Sequence, residues 1–238
     1  MWPFNKKTTI AQSNLLAGGT DHHSHILPGV DDGIESIEEA LNVLALYQET
    51  GIKELWLTPH IMEDFPNTPA LLQERFAVLR AAYKGSITLH LAAEYMIDAH
   101  FATIMKKGEF FPTGHAGNHL LVETSYFTPP MNLHATLRNI QSRGYHPLLA
   151  HPERYIYMSK KEYTELKEMG IKFQLNILSL AGAYGSEAQK KALWLLGCEM
   201  YNAAGSDLHS AGAIELIEQT KLNATTMEKL KNAITTNI

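Results

Sequence analysis

The histidines of this chain are the residues whose type and spacing point most directly to chemistry. The 238 residues contain 12 histidines and a single cysteine. In the segment DHHSH, residues 21–25, the alternation of an extended strand turns the first, third and fifth side chains to one side. Asp207 and His209 repeat this two-residue step. Imidazole and carboxylate groups without thiolates suit zinc, manganese or iron, so this spacing predicts a metal site.

Residues of metal-ligand type recur at the ends of successive strand-like runs. Nine of them follow six such runs: Asp21, His23, His25, His60, Glu94, Glu123, His151, Asp207 and His209. Each one alone is more often structural or half of an ion pair, but their joint placement favours a metal site. They exceed what one tetrahedral ion needs, which predicts two or three ions bridged by a shared carboxylate such as Glu94. His22 is expected on the opposite face of its strand.

The elements that must position these residues are seven strand-like runs that alternate with helical patterns. The strand-like runs are residues 19–24, 54–58, 87–93, 119–123, 146–150, 172–177 and 199–204. Such units predict parallel strands with right-handed crossovers, arranged as an open doubly wound sheet or as a closed barrel. No glycine-rich phosphate loop follows the first strand, so we favour an α/β barrel of seven units. Its active site is expected at the C-terminal ends of the strands.

The composition excludes several classes of protein. A net charge of −5 without a basic stripe disfavours a nucleic-acid binder, and one cysteine excludes a disulfide scaffold. No run approaches the roughly 18 apolar residues of a transmembrane helix, and we expect a cytoplasmic protein. We expect an N-terminal arm over residues 1–18, whose Trp2 and Phe4 dock on a single barrel domain over residues 19–238.

Six sequence blocks resemble a known superfamily in both order and spacing. DHHSHILPGVDDG, LTPHI, AAEY, LLVETSY, AHPERY and AAGSDLH are similar to motifs of the polymerase-and-histidinol-phosphatase (PHP) superfamily. Within it, LPGVDDG and HPERY most resemble the CpsB/CapC-type bacterial tyrosine-protein phosphatases. The resemblance extends from Thr20 to about His209 and implies a distorted (β/α)7 TIM-like barrel, in agreement with the count of strand-like runs.

The resemblance also implies roles for particular residues. The first ion would be held by His23, His25, Glu94 and Asp207, the second by Asp32, His60 and His209, and the third by Glu94, Glu123 and His151. Asp32 lies in a loop, which is why the strand-end argument does not include it. The predicted catalytic residues are Arg154, which matches a phosphate-binding arginine, and Asp207. From the sequence alone, an ion pair of Arg154 with Glu153 or Glu162 is the competing interpretation.

The function that the resemblance implies is a metal-dependent protein-tyrosine phosphatase, with manganese as the expected ion and iron or zinc as alternatives. A metal-activated hydroxide would attack a phosphotyrosine monoester, and the substrate would be the tail of a membrane tyrosine autokinase that controls capsule or exopolysaccharide synthesis. The alternatives are a PHP-type phosphomonoesterase of histidinol phosphate or a sugar phosphate, and a non-catalytic metal-binding scaffold. The sequence identifies no general acid, and a homo-oligomer is one open alternative for the assembly.

Aromatic residues follow two of the ligand-bearing strands. Tyr126, Phe127, Tyr155 and Tyr157 either form a rim for a phenolic substrate or pack the mouth of the barrel, and the sequence leaves both interpretations open.

Overall fold

The structure is a computed structural model that describes residues 7–236 and 238. Within these residues the strands are β1 (Thr8–Thr9), β2 (Thr20–Ser24), β3 (Glu54–Leu57), β4 (His60–Ile61), β5 (Thr88–Leu91), β6 (Glu94–Met96), β7 (His119–Glu123), β8 (His146–Ala150), β9 (Lys172–Asn176), β10 (Ala203–Gly205) and β11 (Lys221–Leu222). The helices are α1 (Ile10–Ser13), α2 (Ile37–Glu49), α3 (Pro69–Ala82), α4 (Ala99–Lys107), α5 (Leu133–Ser142), α6 (Lys160–Glu168), α7 (Ile177–Ala181), α8 (Gly185–Gly197), α9 (Gly212–Gln219) and α10 (Ala224–Thr235).

The strands that carry the site are parallel and form two sheets that follow one another around a curled wall. One sheet has the order β2-β3-β5 and the other the order β10-β9-β8-β7-β6-β4. The first strand meets the last, because the amide of Asp207 donates to the carbonyl of His23 at 2.8 Å and that of His25 to the carbonyl of Leu208 at 3.0 Å. The predicted distorted barrel of seven units is confirmed.

The distortion comes from two of the seven predicted strands, each of which is broken in the middle. The second continues from β3 to β4 across Thr58 and Pro59, and the third from β5 to β6 across Ala92 and Ala93. Proline has no N–H to donate, so the ladder of β3 cannot run through Pro59. The two halves of each strand therefore pair in different sheets, and the second halves begin with His60 and Glu94.

Several helices begin at a residue whose side chain caps them. Ser36 caps α2 by accepting the amide of Glu39, and Thr68 caps α3 just before Pro69. Helix α4 was not predicted from the sequence, although Asp98 accepts the amide of Phe101 at its start and Gly108 adopts a left-handed conformation at its end. Two cap signals around a nine-residue segment therefore identify a helix whose short apolar pattern is easily overlooked.

Part of the segment expected to be an N-terminal arm packs on the barrel. Strand β1 pairs antiparallel with β11, and Ile10, Leu15 and Leu16 are buried. Trp2 and Phe4, which we expected to dock on the domain, lie outside the described residues. No helix in the described part of the chain has the length and apolar character needed to cross a membrane.

Candidate metal centre

The nine predicted metal ligands lie together at the C-terminal ends of the strands, and six of them line one cleft. Seven are placed by the end of a strand or by the segment that follows it: His23 and His25 by β2, Asp32 by the next loop, Glu123 by β7, His151 by β8, and Asp207 and His209 by β10. The other two, His60 and Glu94, are the first residues of the short strands β4 and β6. Eight of the nine are buried or half-buried, and only Asp32 is exposed, at the mouth. The cleft has a volume of about 420 Å³.

The deepest group joins two histidines and two carboxylates. The Nε2 atoms of His23 and His25 lie 3.0 Å apart. Oε2 of Glu94 lies 3.2 Å from the first and 3.4 Å from the second. Oδ1 of Asp207 lies 3.5 Å and 3.3 Å from the same two nitrogens. These four residues are the predicted ligands of the first ion, and their donor atoms converge on one point.

The other ring nitrogens of these two histidines determine what the converging atoms can do. Nδ1 of His23 lies 2.9 Å from Oε1 of Gln174, and Nδ1 of His25 lies 2.8 Å from Oδ2 of Asp31. Both partners are hydrogen-bond acceptors, so each neutral imidazole carries its proton on Nδ1 and a lone pair on Nε2. Two lone pairs and two carboxylate oxygens then face and repel one another, and a cation bound between them removes this repulsion.

Protonation is the alternative way to relieve the same repulsion. Burial lowers the pKa of His23, but the charges of Glu94 and Asp207 outweigh burial and raise it overall. Burial also lowers the pKa of His25. The charge of Asp31 is the largest of the effects that oppose burial, and together they raise the pKa of His25 well above its ordinary value. A cation and protons therefore compete for this point, and ion binding is expected to release protons.

A second group lies at the mouth of the cleft. Oδ1 of Asp32 lies 3.5 Å from Nε2 of His60 and 3.5 Å from Nε2 of His209, and His25 completes the group. The side chain of Asp32 is 58% exposed, so solvent or a substrate oxygen can reach an ion held there.

The third group surrounds Glu94 and contains atoms that have no hydrogen-bond partner. Oε1 of Glu94 lies 3.1 Å from Nε2 of His151, and the same nitrogen lies 3.7 Å from Oε2 of Glu123. Both carboxylate oxygens of Glu123, Oε2 of Glu94 and Nδ1 of His60 are buried without a hydrogen-bond partner. Such atoms are costly unless an ion satisfies them, so this donor set also fits a bound cation.

His60 stands between the second and third groups. Its Nδ1 lies 3.1 Å from Oε2 of Glu94 and 3.1 Å from Oε1 of Glu123. Burial and the nearby His25 favour a neutral His60, but these two carboxylates outweigh them and raise the pKa of His60 to about 10. The two carboxylates therefore favour positive charge at this position, as the ligands of a cation do.

Arg154 contacts the centre directly, through a different partner from either predicted ion pair. Its Nη1 donates to Oδ2 of Asp207 at 2.8 Å. Its guanidinium carbon lies 4.2 Å above the ring of Tyr126 and 4.0 Å from the ring of Tyr184. Neither expected ion pair forms, because Arg154 pairs with Asp207 instead. Glu153 accepts the amide of Asn176, and the half-buried Glu162 accepts the amide of Ser159 at the start of α6.

Several residues around the centre were not identified from the sequence. Asp31 orients His25 and accepts the amide of His60 at 3.0 Å. Gln174 orients His23 from β9, and Asn176 at the end of the same strand donates to Oδ2 of Asp207 at 2.8 Å. Strand β9 was the one predicted strand without a candidate at its end, and its polar QLN ending was the signal that could have found Asn176.

Asp21 and His22 take structural roles. Asp21 does not reach the donor groups: Oδ1 accepts the amides of His23 and Ser206, and Oδ2 accepts the hydroxyl of Tyr47 at 2.6 Å. The expectation that Asp21 would join the ligand cluster is therefore wrong. His22 does lie on the opposite face, where Nε2 lies 3.2 Å from the carbonyl of Thr236. Burial lowers the pKa of His22 to about 4.

The aromatic residues at the mouth are divided between the two interpretations. Tyr126 lines the cleft, and Phe127 is exposed beside it. Tyr155 is buried and donates its hydroxyl to the carbonyl of Ala150, while Tyr157 contacts the hydroxyl of Thr124. Of the four, only Tyr126 lies in the cleft and stays a candidate for the rim around a phenolic substrate, whereas Tyr155 and Tyr157 pack the mouth of the barrel.

A parallel α/β barrel with imidazole and carboxylate donors at the C-terminal ends of its strands defines a metal-dependent hydrolase of the barrel type. More narrowly, the chain belongs to the CpsB/CapC family of capsular polysaccharide synthesis, whose profile matches residues 19–229. The resemblance to this family inferred from the sequence is confirmed.

Individual relatives agree with this membership. Tyrosine-protein phosphatase CpsB of Streptococcus pneumoniae is 30% identical over 203 residues, which cover 80% of this chain and 82% of that protein. A chain from the crystal structures of YwqE from Bacillus subtilis and CpsB from Streptococcus pneumoniae, unique metal-dependent tyrosine phosphatases, is 22% identical with a TM-score of 0.74 and covers 92% of this chain and 97% of that one. Histidinol phosphate phosphatase from Lactococcus lactis has the same fold, with a TM-score of 0.54, 16% identity and coverage of 92% and 95%.

Proposed function

We propose that this chain is a metal-dependent protein-tyrosine phosphatase that hydrolyses phosphotyrosine monoesters. The observation that carries the proposal is the guanidinium of Arg154, which lies in the same cleft as three groups of metal-type donors and is bound to one of them. Cations and a planar guanidinium together match the dianionic phosphoryl group of a monoester. The tyrosine phosphatase names of the curated relatives support the choice of a phenolic ester.

The ligands in this proposal are the nine residues His23, His25, Asp32, His60, Glu94, Glu123, His151, Asp207 and His209. They would hold two or three divalent ions, with manganese as our choice and iron or zinc as alternatives. Bound divalent ions lower the pKa of water and thereby supply a nucleophile near neutral pH. Gln174 and Asp31 keep Nε2 of His23 and of His25 available as ligand atoms.

Arg154 and Asp207 are the proposed catalytic residues. Asp207 binds Nη1 of Arg154, and the rings of Tyr126 and Tyr184 both contact the guanidinium. The guanidinium has further N–H groups that can donate to phosphoryl oxygens as negative charge develops. The leaving phenolate has a pKa of about 10, so it needs less help from an acid than an alkoxide does.

The biological setting is a further part of the proposal. The family membership supports a phosphotyrosine-containing protein of capsule or exopolysaccharide synthesis as substrate, and we propose the tail of a membrane tyrosine kinase. We also propose a cytoplasmic location and a division into an N-terminal arm of residues 1–18 and one barrel domain of residues 19–238.

A substrate comparison with metal control tests the proposed activity. The purified protein is expected to hydrolyse p-nitrophenyl phosphate and a phosphotyrosyl peptide, to lose this activity in chelator and to regain it with manganese. Faster hydrolysis of histidinol phosphate or a sugar phosphate would favour the small-molecule phosphatase, and metal-loaded but inactive protein would favour the scaffold. Cys198→Ser is the matched control, since this exposed thiol lies outside the cleft. Vanadate-sensitive activity that survives chelation would exclude the metal mechanism.

A further inference from the structure

A second cavity of about 400 Å³ adjoins the metal cleft. The two cavities share three residues, Tyr126, Arg154 and Tyr184. The arginine and the two rings that contact it therefore form a common wall. Beyond this wall the second cavity is lined by the charged residues Glu153, Glu187 and Lys191 and by three apolar side chains, those of Phe127, Ile156 and Ala188. None of these three belongs to the donor groups, so the chemistry of the metal centre does not require the cavity.

The apolar side chains at the entrance of this cavity are unusually open to solvent. Phe127 is 71% exposed and Ile156 is 64% exposed, which places both among the most exposed large apolar side chains of the described chain. Apolar side chains concentrated beside a polar cleft are typical of surfaces that bind another molecule. Two such residues facing one cavity indicate that its ligand is partly apolar.

Hydrogen bonds between separate segments hold the walls of the cavity together. The amide of Ile156 donates to the carbonyl of Tyr126 at 2.9 Å, which ties the two segments that carry the entrance residues. Nζ of Lys191 on α8 donates to the carbonyl of Tyr155 and so anchors the same segment to the helix that carries Ala188. A preformed cavity costs little ordering when it is filled.

We propose that this second cavity binds the polypeptide next to the phosphotyrosine and receives an apolar side chain from it. The proposal rests on the proposed phosphatase function and specifies its substrate as an extended peptide rather than an isolated phosphate ester. A small phosphomonoester ends within the metal cleft, whereas a peptide continues beyond the phosphotyrosine and reaches across the shared wall. The cavity then supplies the discrimination between the two kinds of substrate that the donor groups themselves cannot supply.

The test compares kcat/KM for p-nitrophenyl phosphate with kcat/KM for two phosphotyrosyl pentapeptides. The peptides carry either leucine or glycine at the positions that flank the phosphotyrosine. The wild-type protein is expected to prefer the leucine peptide. The double variant Phe127→Ser/Ile156→Ser is expected to lower the ratio of leucine-peptide to p-nitrophenyl phosphate kcat/KM about ten-fold, the order expected for loss of one partly buried apolar contact.

A second variant fills the cavity instead of removing apolar side chains from its entrance. Ala188→Leu adds volume to the wall and is expected to lower the same ratio while removing no contact of the entrance residues. Val78→Ser is the matched control, because Val78 is also exposed and apolar but lies on α3. Thermal unfolding of each variant identifies those that have lost their fold.

The outcomes separate this proposal from the proposed function. Equal rates on the leucine and glycine peptides, or an unchanged ratio in folded Phe127→Ser/Ile156→Ser and Ala188→Leu proteins, would overturn the peptide site and leave the phosphatase activity intact. An equal fall in both rates would likewise overturn it, because the entrance residues would then support the centre rather than the peptide. A wild-type protein that hydrolyses neither kind of ester would instead refute the phosphatase function.

Discussion

Nη1 of Arg154 donates to Oδ2 of Asp207 at 2.8 Å, while Oδ1 of the same carboxylate faces Nε2 of His25 at 3.3 Å. One carboxylate thus joins the proposed phosphate-binding group to the proposed metal ligands. Asp207 adopts a positive φ of 52° and His151 one of 33°, a left-handed conformation that is uncommon for residues other than glycine. Such strain persists only where surrounding contacts hold it, and both residues lie in the donor groups.

Arg154→Ala tests whether this residue acts on the substrate or holds the metal centre. We expect kcat for phosphotyrosyl peptide to fall about 100-fold, because a preorganised donor to the developing charge is lost. Bound metal, measured by plasma mass spectrometry, should stay at the wild-type level because Asn176 still donates to Asp207. Arg80→Ala, at an exposed position on α3, is the control. Loss of metal together with activity would make Arg154 a structural residue.

Asp31→Asn tests the orientation of His25. An amide NH2 facing Nδ1 would favour the tautomer that carries its proton on Nε2, the atom that points into the cleft. We expect metal affinity to fall about 10- to 100-fold and activity to recover in excess manganese. Isothermal titration with manganese measures the change, with Asp64→Asn on the exposed surface as control. Wild-type affinity in Asp31→Asn would show that the negative charge of Asp31 is not needed to hold the tautomer of His25.

Two variants of Tyr184 test whether its ring holds the guanidinium of Arg154 in place. Tyr184→Leu removes one aromatic face, and we expect kcat to fall about ten-fold as the guanidinium gains freedom. Tyr184→Phe retains the face and loses only the hydroxyl that accepts from Asn176, so it should stay close to the wild-type kcat. Steady-state kinetics on p-nitrophenyl phosphate separates the two. Equal losses in both variants would assign the effect to the hydroxyl instead of the ring.

His22 makes the stability of the metal-free protein dependent on pH. Its folded-state pKa of about 4 lies below the ordinary value of 6.5, so its contribution is present above pH 6.5 and is lost as the pH falls towards 4. His22→Gln retains a donor for the carbonyl of Thr236 but does not titrate. Between pH 7 and pH 5, the free energy of unfolding should fall about 2 kcal/mol less in this variant than in the wild type.

Denaturant unfolding in chelator measures this difference, and His134→Gln, at an exposed position on α5, is the control. An identical pH dependence in His22→Gln and the wild type would mean that buried His22 does not control acid unfolding.

Much of the fold and most of the donor set follow from the sequence because both depend on local patterns. The alternation of strand-like and helical segments predicts the parallel barrel, and ligand-type residues at strand ends then fall on one face of it. The exceptions are instructive. Asp21 has the correct residue type and spacing, but the amide of Ser206 and the hydroxyl of Tyr47 lie close enough to take up its carboxylate. Neither neighbour is near it in sequence.

The loop after β2 shows most clearly what sequence patterns cannot predict, since Asp31 and Asp32 are adjacent and chemically identical. Ile34 donates its amide to the carbonyl of His25 at 3.0 Å, which folds the loop back over the histidine. Gly33 permits this return, because a Cβ at that position would overlap His25. The turn directs Asp31 inward to Nδ1 of His25 and leaves Asp32 at the mouth.

Residue types and their periodicity are enough to predict the barrel, the kind of ligands and the end of the strands at which they lie, because both are local properties. Which side chains meet depends on the tertiary structure: Asp207 with Arg154, Asp31 with His25, and Tyr126 and Tyr184 with the guanidinium. Hydrogen bonds and ring contacts depend on tenths of an ångström between segments far apart in the chain. Only the closure of the sheets and the paths of the loops set those distances.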